Sequence, residues 1–405
     1  MLKSINQLDQ EDDLKSFIRH FGEIDRIYLN GNSLGRMPLK TLEVIQEVTA
    51  NEWQNGLISS WYSKWLKRPA AIAAKVAALI NADEDEVFVG DSTSIQLYKL
   101  IFGALQLHPD RNEIIIDDLN FPTDYYILNG IMQQSFQQHK VQTITSSDQI
   151  HGNEAELSTA ISDKTALVYM SHVAYKSAFM YDMARINAQA ETMGALTLWD
   201  LSHSAGAVPV DVKASNTNMA VGCLYKYLNG GPGAPAFLYV KKDLQDQLLN
   251  PIMGWFGHKA PFALDPVFDP NPGIQKYAVG TPGILSLSAL GPGLDLILEA
   301  GISRLRKKSL QMSSYFIGQY HQRLQSKGYI LVSPEDAEKR GSHVSLAHDK
   351  ADVIYQQLTH PEHTDQKAVI CDFRPPNLLR FGLAPLYNSF AEIEYCILRL
   401  EEIAG

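Results

Sequence analysis

The chain has 405 residues, 45% apolar and 20% charged, enough to bury more than one core and too many for one ordinary domain. Its formal net charge of −10 argues against nucleic acid or an anionic membrane as the main partner. The three cysteines, Cys223, Cys371 and Cys396, give no disulfide framework and suit a reducing cytoplasm, the polar, acidic first residues do not read as a signal peptide, and no apolar run reaches spanning length.

In chain order, residues 38–56 carry apolar residues at helical spacing up to a glycine stop, and 68–83 read as a second helix with a proline near its start. Short apolar runs then alternate with helical patterns. Strands are expected at 86–90, 113–117, 166–173, 195–200, 220–226 and 236–240, and helices at 94–107, 124–135 and 183–194. Continuous apolar strands separated by helices predict an α/β fold, a mostly parallel sheet covered by helices on both faces. From about residue 290 the pattern changes. A long charged helix (301–327) precedes strands at 329–333, 341–348 and 377–384, a helix at 351–358 and a closing helix at 390–403. The expected organisation is an N-terminal segment (1–60) joining a small C-terminal α+β domain (290–405), with a large domain between them (61–289).

Ligands of doubly wound sheets sit beyond the carboxyl ends of the strands. After the first strand comes Asp91-Ser92-Thr93-Ser94 at a helix N-terminus, a seat for phosphate, although an N-cap alone explains the same residues. After the second comes NFPTD (120–124), with an aromatic face, Phe121, and a carboxylate, Asp124. Asp200 ends a strand that should be buried, so it needs a cationic or hydrogen-bonding partner. His203 follows three residues later. Lys226 is expected at the end of the 220–226 run, flanked by Tyr225 and Tyr227 and followed by NGGPGAP, where backbone passes close to something. An amine, a strand-end acid, phosphate donors and an aromatic face together suggest pyridoxal phosphate, which needs a lysine amine, an acid opposite the pyridinium nitrogen and a phosphate seat.

Competing readings are weaker. Ser202 and Ser204 near Asp200 and His203 lack the G-x-S-x-G elbow of a hydrolase. The glycine cluster after Tyr227 lacks G-x-G-x-x-G and does not join a strand to a helix, so it is no dinucleotide loop. His360 and His363 flank a proline in a polar loop and make a poor metal site.

The segments GNSLG (31–35), DSTS (91–94), FPTD (121–124), DLSHSAGAVPVDV (200–212), GCLYKYLNGGPGAPAFLYV (222–240), GWFGH (254–258), GTPGILSLSALGPGLD (280–295) and LLRFGLAPLYNSF (378–390) resemble the kynureninases, in that family's order and across almost the whole chain. The resemblance implies a fold-type-I pyridoxal-phosphate enzyme of the class V aminotransferase group. It implies a homodimer with shared active sites that hydrolyses L-kynurenine to anthranilate and L-alanine, in tryptophan catabolism. Carried over residue by residue, it implies that Lys226 holds the cofactor as an imine and Asp200 pairs with the pyridinium nitrogen, with His203 beside that segment. Thr93 and Ser94 hold the phosphate with the Tyr225 hydroxyl, Phe121 stacks on the ring, Asp124 lies near its polar edge, and Ser171 borders it. Trp255 and Thr281 complete the pocket from the neighbouring subunit, Arg380 clamps the α-carboxylate, and Asn32, Ser33 and Trp61 line the substrate end. Lys226 then serves as base at the α-carbon, and Tyr225 transfers a proton at the carbonyl or at Cβ.

The chain departs from the family pattern at several places. Ala174 stands where the family often has Asn, Ser177-Ala178 where it often has Thr-Gly, and Cys371 where many relatives have Gly, and residues 359–368 look shortened or altered. These bear on substrate preference, kynurenine against 3-hydroxykynurenine, more than on reaction class. The alternatives are a cysteine desulfurase or selenocysteine lyase, for which Cys371 is the only candidate nucleophile by position, and a non-catalytic protein of the same fold that binds partners or a ligand.

Overall fold

The computed structural model describes residues 4–405. Its strands, in chain order, are β1 (Ile27–Tyr28), β2 (Val87–Gly90), β3 (Glu113–Asp117), β4 (Lys140–Ile144), β5 (Thr165–Ser171), β6 (Leu196–Asp200), β7 (Met219–Cys223), β8 (Ala236–Val240), β9 (Ile330–Leu331), β10 (His343–Ala347), β11 (Val369–Ile370), β12 (Asp372–Arg374) and β13 (Leu378–Gly382). Seven of them form one sheet in the order β2-β8-β7-β6-β5-β3-β4. All neighbours are parallel except at β8, which is antiparallel to both β2 and β7. The expected α/β class, a mainly parallel sheet with helices on both faces, is what the structure shows.

The apolar runs are continuous because both faces are covered: every residue of β5, β6, β7 and β8 is buried. Alternation still decides which core each residue joins. Ile114, Ile116, Tyr169, Leu198 and Val221 point to a core with Leu97, Leu100 and Ile101 of helix Thr93–Leu107. Ile115, Met170, Trp199 and Ala220 point to the opposite core, with Ile72 and Val76 of helix Arg68–Ile80 and Leu290 and Leu294 of helix Ile284–Ala300.

A second sheet, order β12-β13-β10-β9, is antiparallel throughout. Its core gathers Phe316 of helix Ile302–Gln319, Ile354 of helix Ala351–Thr359, and Ile393 and Ile397 of helix Phe390–Ala404 around Val344, Leu346 and Phe381. The N-terminal residues run over both cores. Helix Ile5–Gln10 packs on the closing helix, where both Asp9 carboxylate oxygens accept from the Phe390 and Ala391 N–H groups, a cap that suits the helix dipole. Leu14, Phe17 and Phe21 join the larger core, β1 pairs with β11, and helix Leu39–Glu47 packs on Ile284–Ala300.

Three local expectations are corrected, and one helix had no expectation. The helix expected at 38–56 is α-helical over Leu39–Glu47 and continues as a π-helix over Val48–Asn55. The helix expected at 301–327 is α-helical over Ile302–Gln319, then π-helical over Tyr320–Leu324. The strand expected to reach Lys226 ends at Cys223, because the Tyr225 carbonyl instead accepts from Gly35 N–H and the Leu224 carbonyl from Gly230 N–H. Helix Ile284–Ala300 was not expected, and it bends 82° into the next helix at Gly301, whose φ is +79°. No single described helix is long and apolar enough to cross a membrane.

Candidate active site

The chain leaves β3 for the edge strand β4 and returns to β5 on the other side of β3. The strand order therefore reverses between β3 and β5, where a crevice opens at the carboxyl ends. A cavity of about 290 Å³ lies there. Its walls contain Thr93, Ser94, Phe121, Asp124, Ser171, Asp200, His203, Tyr225, Lys226 and Arg380, together with Asn32 and Ser33. Twelve of the fifteen residues singled out in the sequence thus meet in one place. Trp61, Trp255 and Thr281 do not. They line a separate surface cavity with Tyr62, Phe256 and Phe262.

Each wall has a local cause. Ser171 and Asp200 are register partners at the ends of β5 and β6, so parallel pairing sets them side by side. The Asp200 Oδ1 accepts from Ser202 N–H at 2.7 Å, which orients a carboxylate that is otherwise buried. Ser92 caps helix Thr93–Leu107, leaving the first-turn N–H groups of Thr93 and Ser94 at the cavity with the helix dipole behind them. Phe121 is the N-cap residue of helix Pro122–Ser135, and its ring meets Tyr175 edge-on at 5.1 Å. Asp124 follows in the first turn of that helix.

Lys226 stands in the turn after β7. Its Nζ lies 3.4 Å from His203 Nε2 and 3.5 Å from His203 Nδ1, and 5.8 Å from the Tyr225 ring centroid. The GNSLG loop explains itself here. A side chain at Gly35 would fall on the Lys226 carbonyl oxygen and on Asn229 Oδ1, so only glycine lets this loop back the lysine turn. Beyond it, Gly231 (φ +82°) and Gly233 (φ +76°) carry the chain away in a conformation that other residues resist.

Burial polarises the groups. Burial first, then the Lys226 ammonium and His343, hold His203 well below the ordinary histidine range, so the ring facing Lys226 is neutral. Burial pushes the Asp124 carboxyl well up, helped by the nearby Asp200 charge. The Tyr169 hydroxyl stands beside Asp124 without a hydrogen bond of ordinary length, and Asp124 Oδ2 has no partner among the described residues. Burial also drives the Tyr225 hydroxyl upward, with Cys223 the next cause.

Arg380, fully buried on β13, is held from several sides. Its Nε and Nη2 donate to Asp372 Oδ2 at 2.6 and 2.5 Å, its Nη1 to the Tyr175 carbonyl at 2.5 Å and its Nη2 to Ser33 Oγ at 3.3 Å. Arg374 joins the same carboxylate oxygen at 2.8 Å and also lines the cavity. The sequence reading missed Tyr175, Asp372 and Arg374. Tyr175 follows the end of β5 and was findable by the same strand-end rule that found Phe121. Asp372 and Arg374 carried no motif.

The donor set fits pyridoxal phosphate. The Lys226 amine, the buried Asp200 carboxylate, the Phe121 ring and the free N-terminus of helix Thr93–Leu107 match the aldehyde, pyridinium, ring and phosphate of that cofactor, and the orphaned Asp124 Oδ2 leaves a buried acceptor beside Asp200. Fold and site together define a fold-type-I pyridoxal-phosphate enzyme. The similar solved structures have this fold: the apo cysteine desulfurase from Thermococcus onnurineus NA1 has a TM-score of 0.79 at 17% identity, covering 100% of this chain and 99% of its own. A C-DES mutant with glycine covalently linked to the pyridoxal-phosphate cofactor has a TM-score of 0.81 at 18% identity, covering 99% of this chain and 100% of its own. The Kynureninase C-terminal domain family matches residues 305–400. A kynureninase from Pseudomonas fluorescens is 40% identical over 402 residues, 98% of this chain and 94% of that relative. One from Burkholderia mallei (strain SAVP1) is 38% identical over the same shares. The chain belongs to the kynureninase family, and its cofactor is pyridoxal phosphate.

Proposed function

We propose that the protein hydrolyses L-kynurenine, and 3-hydroxykynurenine as a second candidate, to the corresponding anthranilate and L-alanine by Cβ–Cγ cleavage. The observation that carries this reading is the meeting of Lys226, Asp200, the Thr93–Leu107 helix N-terminus and Arg380 around one cavity in a chain 40% identical to a kynureninase. When bound, pyridoxal phosphate supplies the electron sink for carbanions at Cα and Cβ.

The chain's own residues do the rest. Lys226 would hold the cofactor through its amine and would move the proton at Cα. Asp200 keeps the ring nitrogen protonated, with Asp124 at the polar edge and Ser171 at the border. Phe121 would stack on the ring, with His203 beside the segment that holds it. A neutral His203 packs against Lys226 without competing for its position as a second cation. Thr93, Ser94 and Tyr225 would take the phosphate, and the half-buried Tyr225 hydroxyl would transfer a proton at the substrate carbonyl or at Cβ. Arg380 binds the α-carboxylate, oriented by Asp372 and supported by Ser33. Asn32, fully buried and with both amide ends unpaired among the described residues, faces the substrate.

Trp61, Trp255 and Thr281 lie together in a surface cavity outside this pocket. That placement supports a homodimer in which they complete the neighbouring subunit's site, and a cytoplasmic location belongs to the same proposal. A division into a large and a small unit belongs to the same proposal. The separate core around β10 and β13 and the Asp9 cap on the closing helix support it, whereas Leu14, Phe17, Phe21, Leu290 and Leu294 join the larger core, against a boundary at residue 290 and against the whole of residues 1–60 belonging to the small unit.

Desulfurase chemistry needs an exposed thiolate. Cys371 is buried in the core around β13, and burial pushes its thiol far upward, the condition of an inert structural cysteine. The experiment is a steady-state comparison of purified protein with kynurenine, 3-hydroxykynurenine and cysteine. Turnover of either kynurenine with release of alanine is expected, and sulfide release from cysteine without kynurenine turnover would overturn the reading.

A further inference from the structure

Behind the helix N-terminus lies a buried lysine that the sequence reading passed over. Lys99, fully buried on helix Thr93–Leu107, places its Nζ 2.6 Å from Asp91 Oδ2, 2.7 Å from the Tyr277 carbonyl and 3.2 Å from Gln96 Oε1. The same ammonium lies 5.3 Å from the Phe88 ring centroid. Gln96 in turn donates to the Gly90 carbonyl at 2.7 Å.

Asp91 is the residue that turns β2 into the helix. Its φ is +48°, a conformation Asp tolerates better than most residues but still at a cost. Its carbonyl accepts from Ala236 N–H at 2.9 Å, so backbone and side chain are both pinned. A carboxylate directly before Ser92, Thr93 and Ser94 is the wrong charge for an anion seat. Buried ammonium groups are rare and need partners, and this one's closest partner is that carboxylate. Through the Tyr277 carbonyl, Lys99 also reaches the segment that leads to Thr281.

We propose that Lys99 is a positioning residue for the cofactor phosphate: it cancels the Asp91 charge at the seat and fixes the left-handed turn that aims the Thr93 and Ser94 donors. The inference rests on the reading of Thr93 and Ser94 as the phosphate seat.

The test titrates apoenzyme with pyridoxal phosphate and reads dissociation constants from fluorescence quenching, with folding checked by circular dichroism. Lys99→Met is expected to weaken binding by at least about tenfold, since the Asp91 charge next to the seat in the chain is then uncompensated. Asp91→Asn is expected to bind as tightly as the native protein or tighter, and Lys99→Met/Asp91→Asn to recover to within about threefold of the native protein. A lysine needed only for folding would lower the unfolding stability of Lys99→Met without a matching loss of affinity in the folded protein. The proposal is overturned if folded Lys99→Met binds within twofold of the native protein, or if the double variant is as weak as the single. If Lys99→Met does not fold, Asp91→Asn decides: retained or tighter binding supports the proposal, and a tenfold loss overturns it. Thr93→Val separates the two levels. Unchanged affinity there removes the seat itself, whereas a loss there with native affinity in Lys99→Met removes only the role of Lys99.

Discussion

The Lys226 ammonium lies 3.4 Å from Nε2 of His203, a ring that burial and Lys226 itself keep neutral. An amine placed against an uncharged imidazole, at the cavity that also holds Asp200, is positioned for imine chemistry rather than for a surface ion pair. Lys226→Ala is expected to lower kcat by at least about 10³-fold while leaving the far-ultraviolet dichroism unchanged. Anthranilate formation under single-turnover conditions checks it.

Arg380 is held at the cavity by Asp372, which accepts from its Nε and Nη2, with the Tyr175 carbonyl and Ser33 as further acceptors. Arg380→Lys keeps a charge but loses the fork, and an increase in KM for kynurenine of roughly ten- to a hundredfold is expected, about 1.4–2.8 kcal/mol, with a smaller change in kcat. Asp372→Asn should move KM in the same direction. A kcat defect with unchanged KM would place Arg380 elsewhere in the reaction.

Gly35 stands where any side chain meets the Lys226 carbonyl and Asn229. Gly35→Ala should therefore displace the lysine turn, lowering stability by about 1–3 kcal/mol and lowering kcat together with it. Urea unfolding and initial rates on the same preparation measure both.

Cys371 lies in the core with its thiol pushed up by burial. Cys371→Ala should leave kcat/KM for kynurenine within about twofold and cost roughly 1 kcal/mol of stability from the small cavity left. Loss of all turnover in a folded variant would revive the desulfurase reading.

His343 is fully buried on β10, its ring 5.7 Å from that of His203, and burial with the Arg380 charge pushes it down to about 3. Between that value and the ordinary 6.5 of an unfolded histidine, the unfolded chain binds a proton that the folded chain does not. Stability therefore rises with pH across this window and falls on acidification, by about 2 kcal/mol at pH 5 for this one group. Asp117, raised to about 7 mainly by burial, acts in the opposite direction but is common to both proteins compared. His343→Gln should lose about 2 kcal/mol less than the native protein between pH 7 and pH 5 in urea unfolding.

Much of this was legible because the sheet's apolar strands were marked by their composition and punctuated by helical spacing. β5, β6 and β8 are buried on both faces and read as unbroken runs. β4, an edge strand with a largely polar sequence, gave no such signal. Helix Ile284–Ala300 contains Gly291-Pro292-Gly293, residues that ordinarily interrupt a helix. Pro292 lies inside the helix, and Gly293 is needed where a side chain would meet the Leu228 carbonyl. The strand-end rule located the acid, the aromatic and the helix N-terminus. It could not locate Arg374 or Lys99, whose roles come from contacts between segments far apart in the chain.

The most direct measurement is the fluorescence of anthranilate released when purified holoprotein meets L-kynurenine, beside the Lys226→Ala variant. Anthranilate and alanine in equal amounts are expected from the native protein, and none above background from the variant. A yellow native protein that bleaches with borohydride yet forms no anthranilate would contradict the proposed function.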